Sequence, residues 1–264
     1  TEPDLVLAPN ATSVETVETL RDAGLTVYHF PAATDFEDVK SKTLTIGQLT
    51  GNEQAARETN AWVDANVEAV STATADAERP QLMYPLLGGF AVGGDTFINE
   101  IIVASGAENV VADDFDGYDQ PSDERVIELD PDVLLVTDQT RGQILGTEPY
   151  SLTTAGRANE SVFLEVNYIN QPAPRSLVYS TRNLTMQLHP DRYDESEFVS
   201  RSEAAASLDG SNATATGTDD SNANTDSTAD GSPTGVSAPG FGPAVAVLSL
   251  LGGSLLARRR SGAA

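Results

Sequence analysis

Cysteine is absent from this chain of 264 residues, and His29 and His189 are its only histidines. A chain without cysteine can form no disulfide, no thiolate zinc site and no cysteine nucleophile. Two histidines are too few for a histidine-rich transition-metal site. Basic residues are also scarce, with 15 Lys and Arg against 40 Asp and Glu and a net charge of −25. Nucleic-acid binding needs basic patches that neutralise phosphates, so this charge excludes a nucleic-acid-binding protein.

Recognisable catalytic motifs are absent as well. The sequence contains no G-x-S-x-G elbow, no HExxH helix and no Ser-x-x-Lys motif. His29 ends a predicted strand and His189 precedes Pro190, positions that favour structural roles. Carboxylates are so abundant that no pair stands out for acid–base catalysis. The sequence therefore predicts a protein that is not an enzyme and has no metal site or cofactor.

The acidic residues are spread over the whole chain. Repulsion among them is screened by high salt, so the pattern indicates a surface adapted to a saline environment. The alternative is calcium binding by the acidic run at 113–119. That run has no acidic residue at 112, where an EF-hand loop would begin, and no pair of flanking helices.

Residues 1–193 alternate between short apolar runs and amphipathic segments, which is typical of parallel βαβ units. Thr12 or Ser13 caps the first predicted helix, which ends at Gly24. The remaining pattern predicts strands at 4–8, 25–30, 82–84, 134–137 and 162–166, and helices at 36–49, 97–104 and 175–188. Residues 126–129 are predicted to belong to a further short helix.

The segment 52–78 differs from its neighbours because it contains neither glycine nor proline. Its apolar and small residues recur every three or four positions, which predicts one helix of about 25 residues and about 38 Å. That length exceeds one small domain. We therefore predict an α/β protein of two Rossmann-like lobes joined by one long helix, with lobes at 1–51 and 79–193.

A glycine-rich loop at 85–96 follows a predicted strand and opens a predicted helix. It lacks the Gly-Lys-Ser/Thr of a Walker A loop and the dinucleotide pattern G-x-G-x-x-G. Because open α/β sheets bind ligands at the carboxyl ends of their strands, this loop is predicted to face a ligand. The alternative is a plain connection capped by Asp95.

The composition changes near Ala206. Residues 207–238 are almost entirely Ser, Thr, Asn, Asp, Gly and Ala, so we assign 194–238 to a disordered stalk. Residues 239–264 begin with Pro-Gly-Phe and continue into the apolar run 244–257 and three arginines. A helix over that run would span about 21 Å, less than the hydrocarbon core of about 30 Å. We assign this segment to sorting and membrane anchoring, with the arginines inside.

Several local patterns resemble the ABC-transporter substrate-binding proteins for cobalamin and ferric siderophores. The resemblance implies a class III fold, in which two lobes joined by one long helix hold a bulky ligand. Members carry a strand and helix before the PDLV strand, so the first lobe is expected to be incomplete here. The matching segments are EPDLVLA at 2–8, DAGLTV at 22–27, TFI at 96–98 with GAENV at 106–110, SDE at 122–124 with LDPDV at 129–133, PAPR at 172–175 and LHP at 188–190.

The resemblance also implies a set of site residues. Aromatic side chains would cover the flat face of a macrocycle, and polar side chains of two loops would complete the contacts. Tyr84 has core packing as an equal alternative. The implied ligand-binding residues are Pro9, Asn10, Tyr84, Phe90, Tyr118, Asn167, Tyr168, Asn170, Gln171 and Arg175.

Two further residues match the acidic positions that dock on permease arginines in this family. Glu124 is the match on the second lobe and Glu15 is its counterpart on the first. The alternative for both is that their charge complements a helix N-terminus.

The resemblance implies that the protein captures cobalamin or another corrinoid and delivers it to an ABC permease with its ATPase subunits. A ferric siderophore or haem is the alternative ligand. Siderophore sites often use arginine clusters, and Arg175 and Arg141 are the arginines expected within reach. The PGF segment resembles haloarchaeal sorting signals, which implies an exported protein anchored at the cell surface. Four sequons, at Asn10, Asn159, Asn183 and Asn212, are compatible with glycosylation.

Overall fold

The computed structural model describes residues 3–215, with side chains described up to residue 208. The described chain separates into two compact units, 3–32 and 33–215. The lobe boundary predicted at residue 51 therefore lies inside the second unit. The division into lobes at 1–51 and 79–193 stays a prediction.

The first unit is a single βαβ motif. Strand β1 (Val6–Ala8) leads into helix α1 (Val14–Asp22), and strand β2 (Val27–His29) pairs with β1 in parallel, with Val6 opposite Val27. The Ser13 hydroxyl caps α1 by accepting a hydrogen bond from the Thr16 amide at 3.2 Å. Ala8, Val17 and Val27 are buried between the helix and the strands. The alternation of apolar runs therefore predicted these three elements correctly.

The second unit has a parallel sheet surrounded by helices. In chain order it contains α2 (Phe36–Thr50), α3 (Glu53–Thr74), β3 (Gln81–Met83), β4 (Ala91–Val92), α4 (Phe97–Ala104), β5 (Glu108–Asn109), β6 (Tyr118–Asp119), α5 (Asp123–Leu129), β7 (Val133–Val136), α6 (Arg141–Ile144), α7 (Thr154–Ala158), β8 (Ser161–Phe163), α8 (Val166–Ile169), α9 (Pro174–Leu188) and α10 (Arg201–Ala215). The sheet order is β5-β3-β7-β8, and all its strand pairs are parallel. The predicted α/β class is confirmed.

The predicted long helix is confirmed as one continuous element, although four residues shorter at its C-terminal end. Helix α3 has 22 residues, a length of about 33 Å. Gly51 ends α2 in the left-handed conformation, with φ of 70°, and this allows α3 to begin two residues later. Trp62, Val63 and Val70 are buried along one face of α3, against α2, α9 and α10. The three-to-four-residue spacing therefore marked the buried face.

The stalk was predicted to begin at residue 194, and this is wrong for the first part of the segment. Helix α10 starts at Arg201, and Ala204 is buried in the core. The Val199 carbonyl accepts hydrogen bonds from the Trp62 indole at 2.9 Å and from the Asn66 amide at 3.0 Å. The Arg201 guanidinium lies over the Trp62 ring at 4.3 Å from its centroid. These contacts hold the segment after α9 against α3.

The rest of the predicted stalk, 216–238, and the predicted anchor, 239–264, lie outside the described residues. Within the described part of the chain, no helix has the length and apolarity needed to cross a membrane.

One local prediction was wrong in detail. The strand predicted at 162–166 ends at Phe163, and Val166 instead begins helix α8. The short helix predicted to include 126–129 is confirmed. It begins at Asp123, because the Ser122 hydroxyl caps it by accepting a hydrogen bond from the Arg125 backbone amide at 3.2 Å.

Candidate functional site

The loop after β3 folds into a short antiparallel ribbon at the carboxyl end of the sheet. Strands β4 and β6 pair with Val92 opposite Tyr118. The side-chain amide of Gln120 donates a hydrogen bond to the Gly88 carbonyl at 2.7 Å and ties the tip of the loop to β6. Phe90 is 40% exposed and Tyr118 is 50% exposed. The ribbon therefore presents two aromatic side chains to solvent, at the sheet edge where α/β proteins bind ligands.

Gly93 lies directly after β4, where the backbone of the ribbon comes close to the backbone at Phe115. Its amide donates a hydrogen bond to the Gly117 carbonyl at 2.8 Å. An added Cβ at Gly93 would lie 2.2 Å from the Phe115 carbonyl oxygen. Only glycine fits at this close approach of two backbone segments.

We expect the substitution Gly93→Ala to lower the free energy of unfolding by about 1–3 kcal/mol, because the ribbon must shift to admit the methyl group. Urea denaturation in molar salt measures the loss. Gly142→Ala is the matched control, since no atom lies within 4 Å of its added Cβ and alanine favours the helix. Equal stability of the two variants would contradict the close approach at Gly93.

Tyr84 lies directly after β3 and is only 1% exposed. It packs in the main hydrophobic core of the second unit. Burial raises the pKa of its hydroxyl above the ordinary value, and a side-chain hydrogen bond with Thr137 opposes this shift. The burial supports the packing alternative for Tyr84 and leaves little of its ring free for a ligand.

The second predicted ligand loop follows β8, at the same sheet edge. Asn167, Asn170 and Gln171 are exposed on or after helix α8. Tyr168 instead packs against Tyr179 of α9, with ring centroids 5.2 Å apart. The exposed Asn and Gln side chains are therefore free to make the polar contacts predicted for them, whereas half-buried Tyr168 contributes to packing.

Arg175 is the second residue of helix α9 and is exposed. Its guanidinium carbon lies 5.7 Å from the centroid of the Tyr179 ring. Such cation–π contacts leave the charged head group in water. Arg175 therefore keeps its charge at the end of the loop, beside the polar residues that precede it in the chain.

Pro9 and Asn10 belong to the first unit, where they follow β1. Both are exposed, and the Pro9 carbonyl accepts a hydrogen bond from the Thr12 amide at 2.9 Å. Their position at a strand's carboxyl end agrees with the sequence prediction, and their contact with a ligand stays a prediction.

Glu15 and Glu124 occupy equivalent places in the two units. Each is the second residue of a helix capped by a serine, Ser13 for α1 and Ser122 for α5. Both carboxylates are exposed. A carboxylate at this position interacts favourably with the positive end of the helix dipole. Both carboxylates also remain accessible to a partner protein.

The periplasmic binding protein family matches residues 1–165. The chain belongs to this family. Its members are substrate-binding proteins of transport systems that work outside the cytoplasm, in agreement with the fold and with the resemblance noted from the sequence.

Individual relatives differ in the ligands they are named for. The chain is 41% identical over 187 residues to a cobalamin-binding protein of Halobacterium salinarum, covering 66% of this chain and 50% of the relative. It thus spans about half the length of that relative. Among solved structures, the haem-binding protein BhuT in complex with two haems is 26% identical, with a TM-score of 0.62 over 70% of this chain and 76% of BhuT. The vitamin B12-binding protein BtuF of Vibrio cholerae shares the fold, with 18% identity and a TM-score of 0.59 over 73% of this chain and 76% of BtuF.

Lys42 also holds the polar loop of this periplasmic binding protein in place, although no sequence motif marked it as a site residue. Its ammonium group, on helix α2, donates a hydrogen bond to the Pro172 carbonyl at 3.1 Å. Burial lowers the pKa of Lys42. The contact fixes the end of the polar loop to a helix 130 residues earlier in the chain. A signal was available, because Lys40 and Lys42 are the only lysines in the sequence.

Proposed function

We propose that this protein is the substrate-binding component of an ABC importer and that its substrate is cobalamin or another corrinoid. The observation that carries the proposal is the 41% identity, over 187 residues, with a protein named for cobalamin binding. The exposed ribbon aromatics support it, because rigid rings cover the flat face of a macrocycle at little entropic cost. The protein performs no bond chemistry, and its task is to capture and release the ligand.

Haem or a ferric siderophore is the second candidate. The likeness to BhuT, at 26% identity, favours haem within this class. Anionic chelates need cationic side chains around the ligand, and Arg175 is the exposed arginine next to the polar loop. A single arginine in a chain of net charge −25 fits the less charged corrinoid better.

The delivery step requires contact with the permease. We assign this contact to Glu15 and Glu124, since each places an exposed carboxylate at the start of a helix next to a predicted ligand loop. Arginines of the permease would bind these carboxylates, and the ATPase subunits would act on the permease. The acidic surface supports this pairing of charges.

The PGF segment and apolar run at 239–264 support attachment to the outer face of the membrane in a saline environment. A tether keeps the binding protein close to its permease and raises the effective concentration of the pair.

Isothermal titration of the full chain in molar salt tests the proposal. Cobinamide, cobalamin, haemin and ferrichrome are titrated in parallel. Saturable binding of cobinamide or cobalamin with one site per chain is the expected result. Binding of haemin or ferrichrome alone would replace the corrinoid by the second candidate, and binding of none of the four would overturn the receptor function.

A further inference from the structure

A cavity of about 250 Å³ lies in the second unit, beside the tip of the glycine-rich loop. Three segments distant in sequence enclose it: the loop at 86–89, the start of α5 with Pro121, and the chain from α6 to Tyr150. The volume is below the range of about 300–1,000 Å³ typical of small-molecule sites. It suits a group the size of one side chain and is far too small for a tetrapyrrole.

The residues that line this cavity are of two kinds, apolar and polar. The apolar wall is formed by Leu86, Leu87, Val126, Ile144 and Pro149. The lining residues with polar side chains are Asp123, Gln143, Thr147, Glu148 and Tyr150. A group that fills the cavity therefore needs both an apolar stem and a polar head.

Tyr150 points to a ligand independently of the acids. It is only 6% exposed, yet within residues 3–215 its hydroxyl makes no hydrogen bond. Burial and the neighbouring Asp123 raise the pKa of this hydroxyl, so it stays protonated. The Tyr150 side chain lines the cavity, so a ligand bound there can form a hydrogen bond with the hydroxyl.

The charges around the cavity select a cation. Arg125 on α5 is already engaged by Asp114 at 2.7 Å and by Glu128 at 2.9 Å, so Asp123 gains no partner from its own helix. Within the described residues, no three His, Cys, Asp or Glu side chains are grouped to hold a metal ion. An organic cation with several N–H donors fits the two carboxylates and the Tyr150 oxygen better than a metal ion does.

We propose that this cavity is a binding site for an alkylguanidinium or alkylammonium group, with the head between Asp123, Glu148 and Tyr150 and the stem against the apolar wall. Guanidinium donors lie in one plane and match carboxylate acceptors. The Tyr150 ring also offers a face for the cation. This site borders the glycine-rich loop at 85–96 and does not depend on the identity of the transported ligand.

NMR titration of the full chain with n-butylguanidinium tests the site, with neutral n-butylurea as the isosteric control. Saturable shifts of the Gly88, Gly89 and Gln143 amides are expected with the cation and none with the urea. Asp123→Asn should weaken binding about tenfold, because it removes a charge-assisted contact. Tyr150→Phe should weaken binding severalfold and leave the thermal midpoint unchanged, since its hydroxyl has no protein partner to lose. Glu160→Gln, an exposed acid away from the cavity lining, should bind like the wild type.

A second probe separates the two sources of such a cation. A peptide Ala-Ala-Arg-Ala-Ala with blocked termini presents the guanidinium on a backbone. Binding equal to that of n-butylguanidinium assigns the site to a side chain of a protein partner, and binding of n-butylguanidinium alone assigns it to a free small cation. Absence of shifts at the lining amides, or equal affinity of the wild type and Asp123→Asn, overturns the proposal. The corrinoid titration is unaffected by either result.

Discussion

Replacing Trp62 with alanine is expected to lower the free energy of unfolding by about 3–5 kcal/mol. The ring is 1% exposed and lies against Tyr179 and Phe198, at centroid distances of 5.8 and 6.4 Å. Its indole N–H also donates to the Val199 carbonyl. Alanine would leave a cavity between α3, α9 and the segment before α10. Urea denaturation in molar salt, followed by circular dichroism, measures the change.

The variant Trp62→Phe separates ring packing from the hydrogen bond. Phenylalanine keeps most of the buried ring, and the Asn66 amide still donates to the Val199 carbonyl. We expect this variant to lose about 1–2 kcal/mol, in the range of a single hydrogen bond and a smaller ring. A loss below about 1 kcal/mol for Trp62→Ala would show that the segment after α9 does not pack on α3.

The sequence predicted helix α3 but did not predict the ordered segment that packs on it. In α3 the repeat of Trp62, Val63 and Val70 marks a buried face, and no glycine or proline interrupts it. The later segment is anchored by Phe198, Val199 and one small residue, Ala204, within a polar stretch. Long-range contacts with α3 order this segment, and its own hydrophobicity does not. Composition alone therefore predicted a disordered stalk.

The candidate site shows the same division between local and long-range information. The family resemblance indicated Phe90 and Tyr118, and both lie on the ribbon at the carboxyl end of the sheet, while their contact with a ligand stays a prediction. Burial of Tyr84 depends on how its ring packs in the core, which the alternation of a three-residue strand does not determine. The cavity at Tyr150 is lined by three separate segments between residues 86 and 150. No local sequence pattern predicts that these segments come together.

The largest effect on ligand binding is expected from removing both exposed ribbon aromatics, Phe90→Ala with Tyr118→Ala. Each ring that covers about 55 Å² of a macrocycle contributes about 1.4 kcal/mol, a factor of about ten in affinity. The double variant should therefore bind cobinamide about 100-fold more weakly than the wild type in the same titration. Both side chains are substantially exposed, so the stability of the fold should change little.

Leu49→Ala is the matched control, because Leu49 is 39% exposed, close to Phe90 at 40%, and lies on α2 away from the ribbon. It removes a comparable exposed apolar side chain and should leave cobinamide affinity within about twofold of the wild type, as expected for a residue without ligand contact. The two single variants establish whether the rings act independently, in which case their losses add in free energy. A double variant that binds cobinamide with an affinity within threefold of the wild type would show that the ribbon is not part of the ligand site. The polar loop after β8 would then be the remaining candidate for that site in the second unit.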